Sequence, residues 1–190
     1  MPETSLNTIR NVAVFCASAD GSDPVYRTAA EELGRALARN GLGLIYGGAR
    51  VGLMEAVASA ALAHGGYVVG VIPEVLVNLE VAHDGLSELH VTSTMHTRKA
   101  LMGERSDAFV VLPGGFGTFE EMFEVLAWQT LKLHAKPIIL VNTNGFYDGL
   151  IVFLDHCVAE GMLKSVSRQI LQVANDVPQT MALLGYSTGD

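Results

Sequence analysis

Apolar, β-rich runs alternate with segments of helical spacing along this chain, and that alternation decides its fold class. The runs are NVAVFC (11–16), LGLIYG (42–47), GGYVVGVIP (65–73), ELHVT (88–92), DAFVVL (107–112), KPIILVN (136–142) and RQILQVAN (168–175). Helical patterns fall at 26–40, 55–66, 95–106, 120–133, 145–161 and 176–185, while 74–87 reads as a loop or short-helix excursion. Local signals agree with these breaks. Asp23 followed by Pro24 marks a helix start, and Asn40-Gly41 marks its end. This order predicts an α/β protein: a Rossmann-like, doubly wound parallel sheet with helices on both faces. Residues 1–10 read as a short lead, and 11–190 as one domain long enough to bury a sizeable core. No G-x-G-x-x-G follows the first strand, which argues against a nicotinamide-dependent dehydrogenase.

The junction after the fifth run carries the chemistry. PGGFGTFEE (Pro113–Glu121) links a buried strand to a helix whose residues Phe119, Met122, Phe123 and Leu126 recur at helical spacing. Gly114, Gly115 and Gly117 permit close backbone approach. Thr118 reads as the helix N-cap, with Glu121 three residues on completing a capping box. Unpaired N–H groups at such a start attract an anion, phosphate above all. The alternative is that the glycines only shape a turn, and spacing alone leaves both readings open. YGGARVGLM (Tyr46–Met54) supplies a second glycine-rich turn, where Gly47 and Gly48 either face a ligand or serve packing, and Gly52 lets the helix pack on the sheet. Ser18 and both glycine turns follow strand ends, so all of them can meet in one crevice.

PGG-x-GT-x-x-E resembles the signature of the LONELY GUY family, the cytokinin riboside 5'-monophosphate phosphoribohydrolases, whose relatives are often miscalled lysine decarboxylases. FCAS (Phe15–Ser18), YGGARVGLM and MHTRK (Met95–Lys99) match the same family in order and spacing, and the likeness covers roughly 11–184. The resemblance implies hydrolysis of a nucleoside 5'-monophosphate to free base and ribose 5-phosphate. It assigns catalysis to Arg98 and Glu121, and substrate binding to Ser18, Gly47, Gly48, Glu80, Met95, Lys99, Gly114, Gly115, Gly117 and Thr118. It also implies a homo-oligomer, a dimer or an assembly of dimers. Glu121 would stabilise the oxocarbenium-like charge on the ribose, and Arg98 would orient Glu121 or assist departure of the base. Without the resemblance, Arg98 and Lys99 would read as a solvated helix face. His96 reads as a surface or interface residue. Three positions depart from the family pattern. Ala49 replaces Gly, which is harmless unless its φ is positive. Glu55 replaces Gly and brings negative charge toward the site, and Ala127 replaces Thr near the ligand.

Composition sets limits on partners. A formal charge of −8 gives no reason to expect nucleic acid or an acidic membrane, so an anionic ligand must be held by local donors. No apolar run is long enough to span a membrane, MPETSLNTIR lacks a signal-peptide core, and the expected location is cytoplasmic. Cys16 and Cys157 read as free, buried thiols. The histidines show no metal-ligand spacing, so neither metal nor cofactor is expected. Two rivals share the motifs or the fold. One is a nucleosidase preferring AMP, and the other is a non-catalytic, molybdenum-cofactor carrier-like binding protein.

Overall fold

The computed structural model describes residues 9–77, 83 and 85–187. Residues 1–8 of the expected 1–10 lead and the site candidate Glu80 lie outside them. Seven parallel strands form one sheet: β1 (Asn11–Phe15), β2 (Gly43–Tyr46), β3 (Val68–Pro73), β4 (Glu88–Thr92), β5 (Ala108–Val111), β6 (Ile138–Val141) and β7 (Leu171–Ala174). Their order is β4-β3-β2-β1-β5-β6-β7. The chain winds outward from β1 in one direction and then, from β5, in the other. Neighbouring β1 and β5 therefore flank the topological switch point, where crevices open in sheets of this kind.

Alternate residues of each inner strand enter different layers, as the two-residue period of a strand requires. Val12, Val14, Leu44, Val110, Leu112 and Ile139 pack under α1 (Pro24–Arg39), α2 (Gly52–Ala63) and α8 (Val177–Leu183). Ala13, Phe15, Ile45, Phe109, Val111 and Leu140 pack on the other face, against α4 (Met95–Arg105), α5 (Phe116–Thr130) and α6 (Asp148–Ala159). Among the described residues there are also two four-residue helices, α3 (Glu74–Val77) and α7 (Ser165–Arg168), and a single 3-10 turn at Thr143–Gly145. The excursion at 74–87 thus contains α3, and the turn at 165–168 is a helix that the sequence pattern did not reveal. The outer strand β4 buries little of its length.

Helix boundaries follow local chemistry where caps are present. Asp23 accepts from Val25 N with Pro24 in the first turn, and Asp176 accepts from Gln179 N with Pro178 placed likewise. Thr94 and Thr97 cap α4 reciprocally. Gly41 leaves α1 with φ +67°, the left-handed exit that favours glycine.

Helices α1 and α2 approach at Gly34, where an added Cβ would fall 2.2 Å from Val57 O and 3.1 Å from Ala61 N. Backbone cannot yield as a side-chain tip can. Gly34→Ala improves helix propensity by about 1 kcal/mol, yet overpacking of this kind costs about 1–3 kcal/mol or more. Urea unfolding is therefore expected to show a net loss of stability, and a neutral or stabilised variant would contradict this packing.

Candidate active site

A cavity of about 360 Å³ opens at the carboxyl ends of β1 and β5. Cys16–Ala19, the start of the loop after β1, forms one wall, and Ala17 N donates to Pro113 O (3.1 Å) to tie that loop to the one after β5. The facing wall is the first turn of α5, Gly115–Thr118, with Glu121 one turn further on. Met54, Leu76 and Met95 add apolar surface, and Arg98 enters from α4.

The helix start differs from the expected capping box. Gly115 is the N-cap and provides no side-chain cap, while Thr118 lies inside the first turn. Extended backbone at Gly115 (φ −105°, ψ −150°) lets the helix begin three residues earlier than a Thr118 cap would allow. Phe119 N is then the first amide to reach a helical carbonyl, Gly115 O at 2.9 Å. The amides of Phe116, Gly117 and Thr118 precede it and form the unpaired, partly positive end of α5. Space above Gly115 and Gly117 is open, with no heavy atom within 4 Å of an added Cβ. Gly114 serves differently, because a Cβ there would lie 2.1 Å from Thr118 Oγ1. It clears the seat of Thr118 rather than lining the cavity.

Arg98 and Glu121 are both buried, 7% and 9% exposed. Arg98 Nε donates to Val71 O (3.0 Å), and Nη1 stands 3.4 Å from Glu121 Oε1. That separation makes an ion pair without a tight hydrogen bond, leaving both groups able to engage a third atom. Burial raises the Glu121 carboxyl to about 7, against the opposing pull of Arg98. Gly47 makes this arrangement possible: a Cβ there would fall 2.4 Å from Arg98 Nη2 and 2.9 Å from Met54 Sδ. Gly48, at φ +79°, packs over β3 and accepts from His83 N at 3.1 Å.

Of the residues singled out in the sequence, Ser18, Met95, Arg98, Gly115, Gly117, Thr118 and Glu121 meet along the cavity. Gly47, Gly48 and Gly114 stand behind it as spacers. Lys99 is buried rather than solvated, and it turns away to pair with Glu120 and, at 3.0 Å, with Glu124. Gly52 packs against the loop after β1, not against the sheet, since its Cβ would meet Ala19 N at 2.4 Å.

The three departures from the family pattern have plain structural readings. Ala49 is buried without positive φ. Glu55 does not line the cavity; it accepts from Arg27 Nη2 (2.5 Å) and Ser59 Oγ (2.8 Å). Burial raises its carboxyl, but these two donors outweigh burial and hold it below the ordinary carboxylate value. Ala127 lines a different cavity, between α5 and the segment after α6. Sequence reasoning did not single out Cys16, Met54, Leu76 or Phe116 as walls. Cys16, Met54 and Phe116 lay inside quoted motifs, but nothing in their residue type announced the role. Cys16 is buried and Cys157 is half-buried, both free.

The family model described as possible lysine decarboxylase matches residues 54–184. The cytokinin riboside 5'-monophosphate phosphoribohydrolase of Rhodococcoides fascians is 48% identical over 190 residues, covering 97% of this chain and 96% of that protein. The chain belongs to the LONELY GUY family. An Arabidopsis thaliana member is 42% identical over 182 residues, covering 96% of this chain and 85% of that protein. Among solved structures, a molybdenum-cofactor carrier protein from Chlamydomonas reinhardtii superposes with a TM-score of 0.70 at 23% identity, covering 93% of this chain and 95% of that one. At that identity the likeness to the carrier concerns the fold alone. In this LONELY GUY member the motif glycines thus divide into cavity-facing and spacing positions.

The raised Glu121 carboxyl has a consequence for stability. A folded value of about 7 exceeds the ordinary 4.5. The protonated group therefore favours folding fully below the unfolded value, and that contribution is lost as pH rises from about 4.5 through about 7. Gln mimics the protonated form at every pH. The melting temperature of Glu121→Gln relative to the parent is expected to rise between pH 5 and pH 8. A difference that stays constant across that range would contradict the burial effect.

Proposed function

We propose that this protein hydrolyses the N-glycosidic bond of purine nucleoside 5'-monophosphates, with cytokinin ribotides as the favoured substrates. The products are the free base and ribose 5-phosphate. The observation that carries the reading is the buried Arg98–Glu121 pair, 3.4 Å apart, in a cavity bounded by the uncapped start of α5. The 5'-phosphate would rest on the amides of Phe116, Gly117 and Thr118 with the Thr118 hydroxyl. Glu121 follows Phe116 by five residues, about 7.5 Å along the helix axis. A ribose fits between a phosphate at one end of that span and a glycosidic bond near the other.

Hydrolysis adds hydroxide to the anomeric carbon and a proton to the departing base. The transition state carries positive charge on the ribose ring. Glu121, as a carboxylate held from water, is well placed to stabilise that charge, because Coulomb interactions strengthen where water is excluded. With a carboxyl titrating near 7, Glu121 can also exchange a proton with the attacking water. Arg98 fixes Glu121 through charge and is itself fixed by Val71 O, leaving further guanidinium donors for the substrate.

The relatives at 40–48% identity carry the name of this activity. The carrier proteins share the fold at 21–24% identity, and no observation in the site favours binding without turnover. Decarboxylation of lysine through a Schiff base lacks its essential residue, since among the described residues no lysine lines the cavity.

The deciding assay measures ribose 5-phosphate released from AMP and from isopentenyladenosine monophosphate, against ribose released from the matching nucleosides. Several charge-assisted hydrogen bonds, about 1.5–3 kcal/mol each, imply a preference for the nucleotide of about 10³-fold or more. In the same assay Glu121→Gln should lose about 10²-fold or more in turnover, and Arg98→Lys should fail to restore what Arg98→Ala loses. Equal cleavage of nucleoside and nucleotide would remove the phosphate role. Full activity in a folded Glu121→Gln protein would remove the catalytic assignment.

A homo-oligomeric state belongs to the same reading. The groove between α5 and α6 is apolar at Phe123, Ala127 and Leu163, and neighbouring elements leave Phe153, Met162 and Val166 exposed. Among the described residues no helix is long and apolar enough to cross a membrane. Light scattering is expected to give at least twice the 20.2 kDa chain mass, and a monomer at micromolar concentration would overturn this.

A further inference from the structure

We propose that Glu55 and Arg27 form a clamp that positions the cavity wall at Cys16–Ala19 and so sets affinity for the nucleotide. The inference rests on the hydrolase reading for its kinetic test, while its structural part stands alone. The wall residues run directly into Asp20, and Asp20 Oδ1 accepts from Arg27 Nη1 at 2.8 Å. Arg27 Nη2 donates to Glu55 Oε2 (2.5 Å), and Nε donates to Glu31 Oε1 (3.0 Å). One guanidinium therefore spans three carboxylates on three segments: the wall loop, α1 and α2. Arg supplies donors in a fixed planar fork, which Lys cannot reproduce.

The α2 end of the clamp reaches the same wall by packing. Gly52 presses on the Ser18–Ala19 backbone, and Met54 lines the cavity. Glu55 lies in that first turn of α2, so its pull on Arg27 acts beside the contact that seats the wall. A second arm leaves the other oxygen. Ser59 Oγ gives its proton to Glu55 Oε1 (2.8 Å), which leaves its lone pairs for His83 Nε2 (3.0 Å). His83 N in turn donates to Gly48 O, beside the Gly47 spacer that seats Arg98. Glu55 thus joins the wall loop to the glycine turn behind the ion pair. A family member with Gly at this position would lack both arms.

The exposure of the clamp separates this role from a stabilising one. The side chains of Arg27 and Asp20 are 39% and 55% exposed, and surface pairs of this kind add little to global stability. A wall that contacts the ligand but not the reacting atoms, once loosened, nevertheless weakens binding in the ground state and transition state alike. The clamp is therefore expected to show in KM rather than in melting temperature.

The test compares the parent protein with Arg27→Met, Arg27→Lys, Glu55→Gln and the Arg27→Met/Glu55→Gln double variant. The expected result in Arg27→Met is a KM for the nucleotide raised about 3–10-fold, kcat within about twofold, and little change in melting temperature. Glu55→Gln should move KM in the same direction, Arg27→Lys should rescue only part of the loss, and the double variant should be no worse than Arg27→Met alone. Hydrogen–deuterium exchange of the peptide spanning 17–22 should quicken in Arg27→Met and Glu55→Gln. An unchanged KM with parent-like exchange overturns the clamp. Parallel losses of KM, kcat and melting temperature assign the residues to stability and also overturn it. If the parent releases no ribose 5-phosphate, the hydrolase reading fails, whereas the exchange measurement still decides whether the clamp holds the wall.

Discussion

Glu121 and Arg98 hold opposite charges away from water at the switch point of the sheet, and the surrounding structure is arranged to make that tolerable. A buried charge without a partner would cost several kcal/mol. Here each charge is the other's partner, and Val71 O takes one Arg98 donor. The pair stops short of an ideal bidentate contact, and burial still lifts the carboxyl to about 7. Such incomplete satisfaction fits the proposed role of the pair, since perfect internal pairing would leave nothing for a ligand to gain.

Positioning this pair requires absences as much as contacts. Gly47 leaves room for the guanidinium, Gly114 for Thr118, and Gly52 for the backbone of the wall loop. Of the described motif glycines, Gly115 and Gly117 are the ones that stand open toward the cavity. The glycine-rich motifs thus combine two physical roles, close packing of functional side chains and exposure of backbone donors. Net charge plays the opposite part. At −8 the whole molecule repels anions, so in the proposed reading it is the local amide dipoles at the start of α5 that would attract the phosphate. Keeping Lys99 engaged with Glu120 and Glu124 places its charge outside that function.

Much of the fold was legible because each signal was local. Alternation of strand and helix patterns predicts a parallel, two-sided sheet, and Asp23, Pro24, Asn40 and Gly41 mark the ends of α1 through backbone chemistry that needs no distant partner. The short helix α7 escaped, because four residues carry too little periodicity to read. At α5 the expected Thr118 cap was displaced by Gly115. Glycine can satisfy the backbone geometry of an N-cap without a side chain, and the first-turn amides are then left without a side-chain partner.

What the sequence by itself determined was the alternation of strands and main helices, and the motifs whose resemblance to a known family singled out Arg98 and Glu121. Alternation depends on residue type and spacing along one chain, which sequence records directly, whereas without that resemblance Arg98 reads as a solvated helix residue. Tertiary structure alone decided which neighbours of those residues serve them. Arg98 and Lys99 are adjacent in sequence, yet one enters the cavity and the other leaves it, because a step along a helix turns a side chain by about 100°. Glu55 is neutralised by Arg27 from another helix, and Gly34 faces Val57 O across a contact no local pattern predicts. Packing between segments distant in sequence sets these partnerships, and periodicity within a segment carries no information about them.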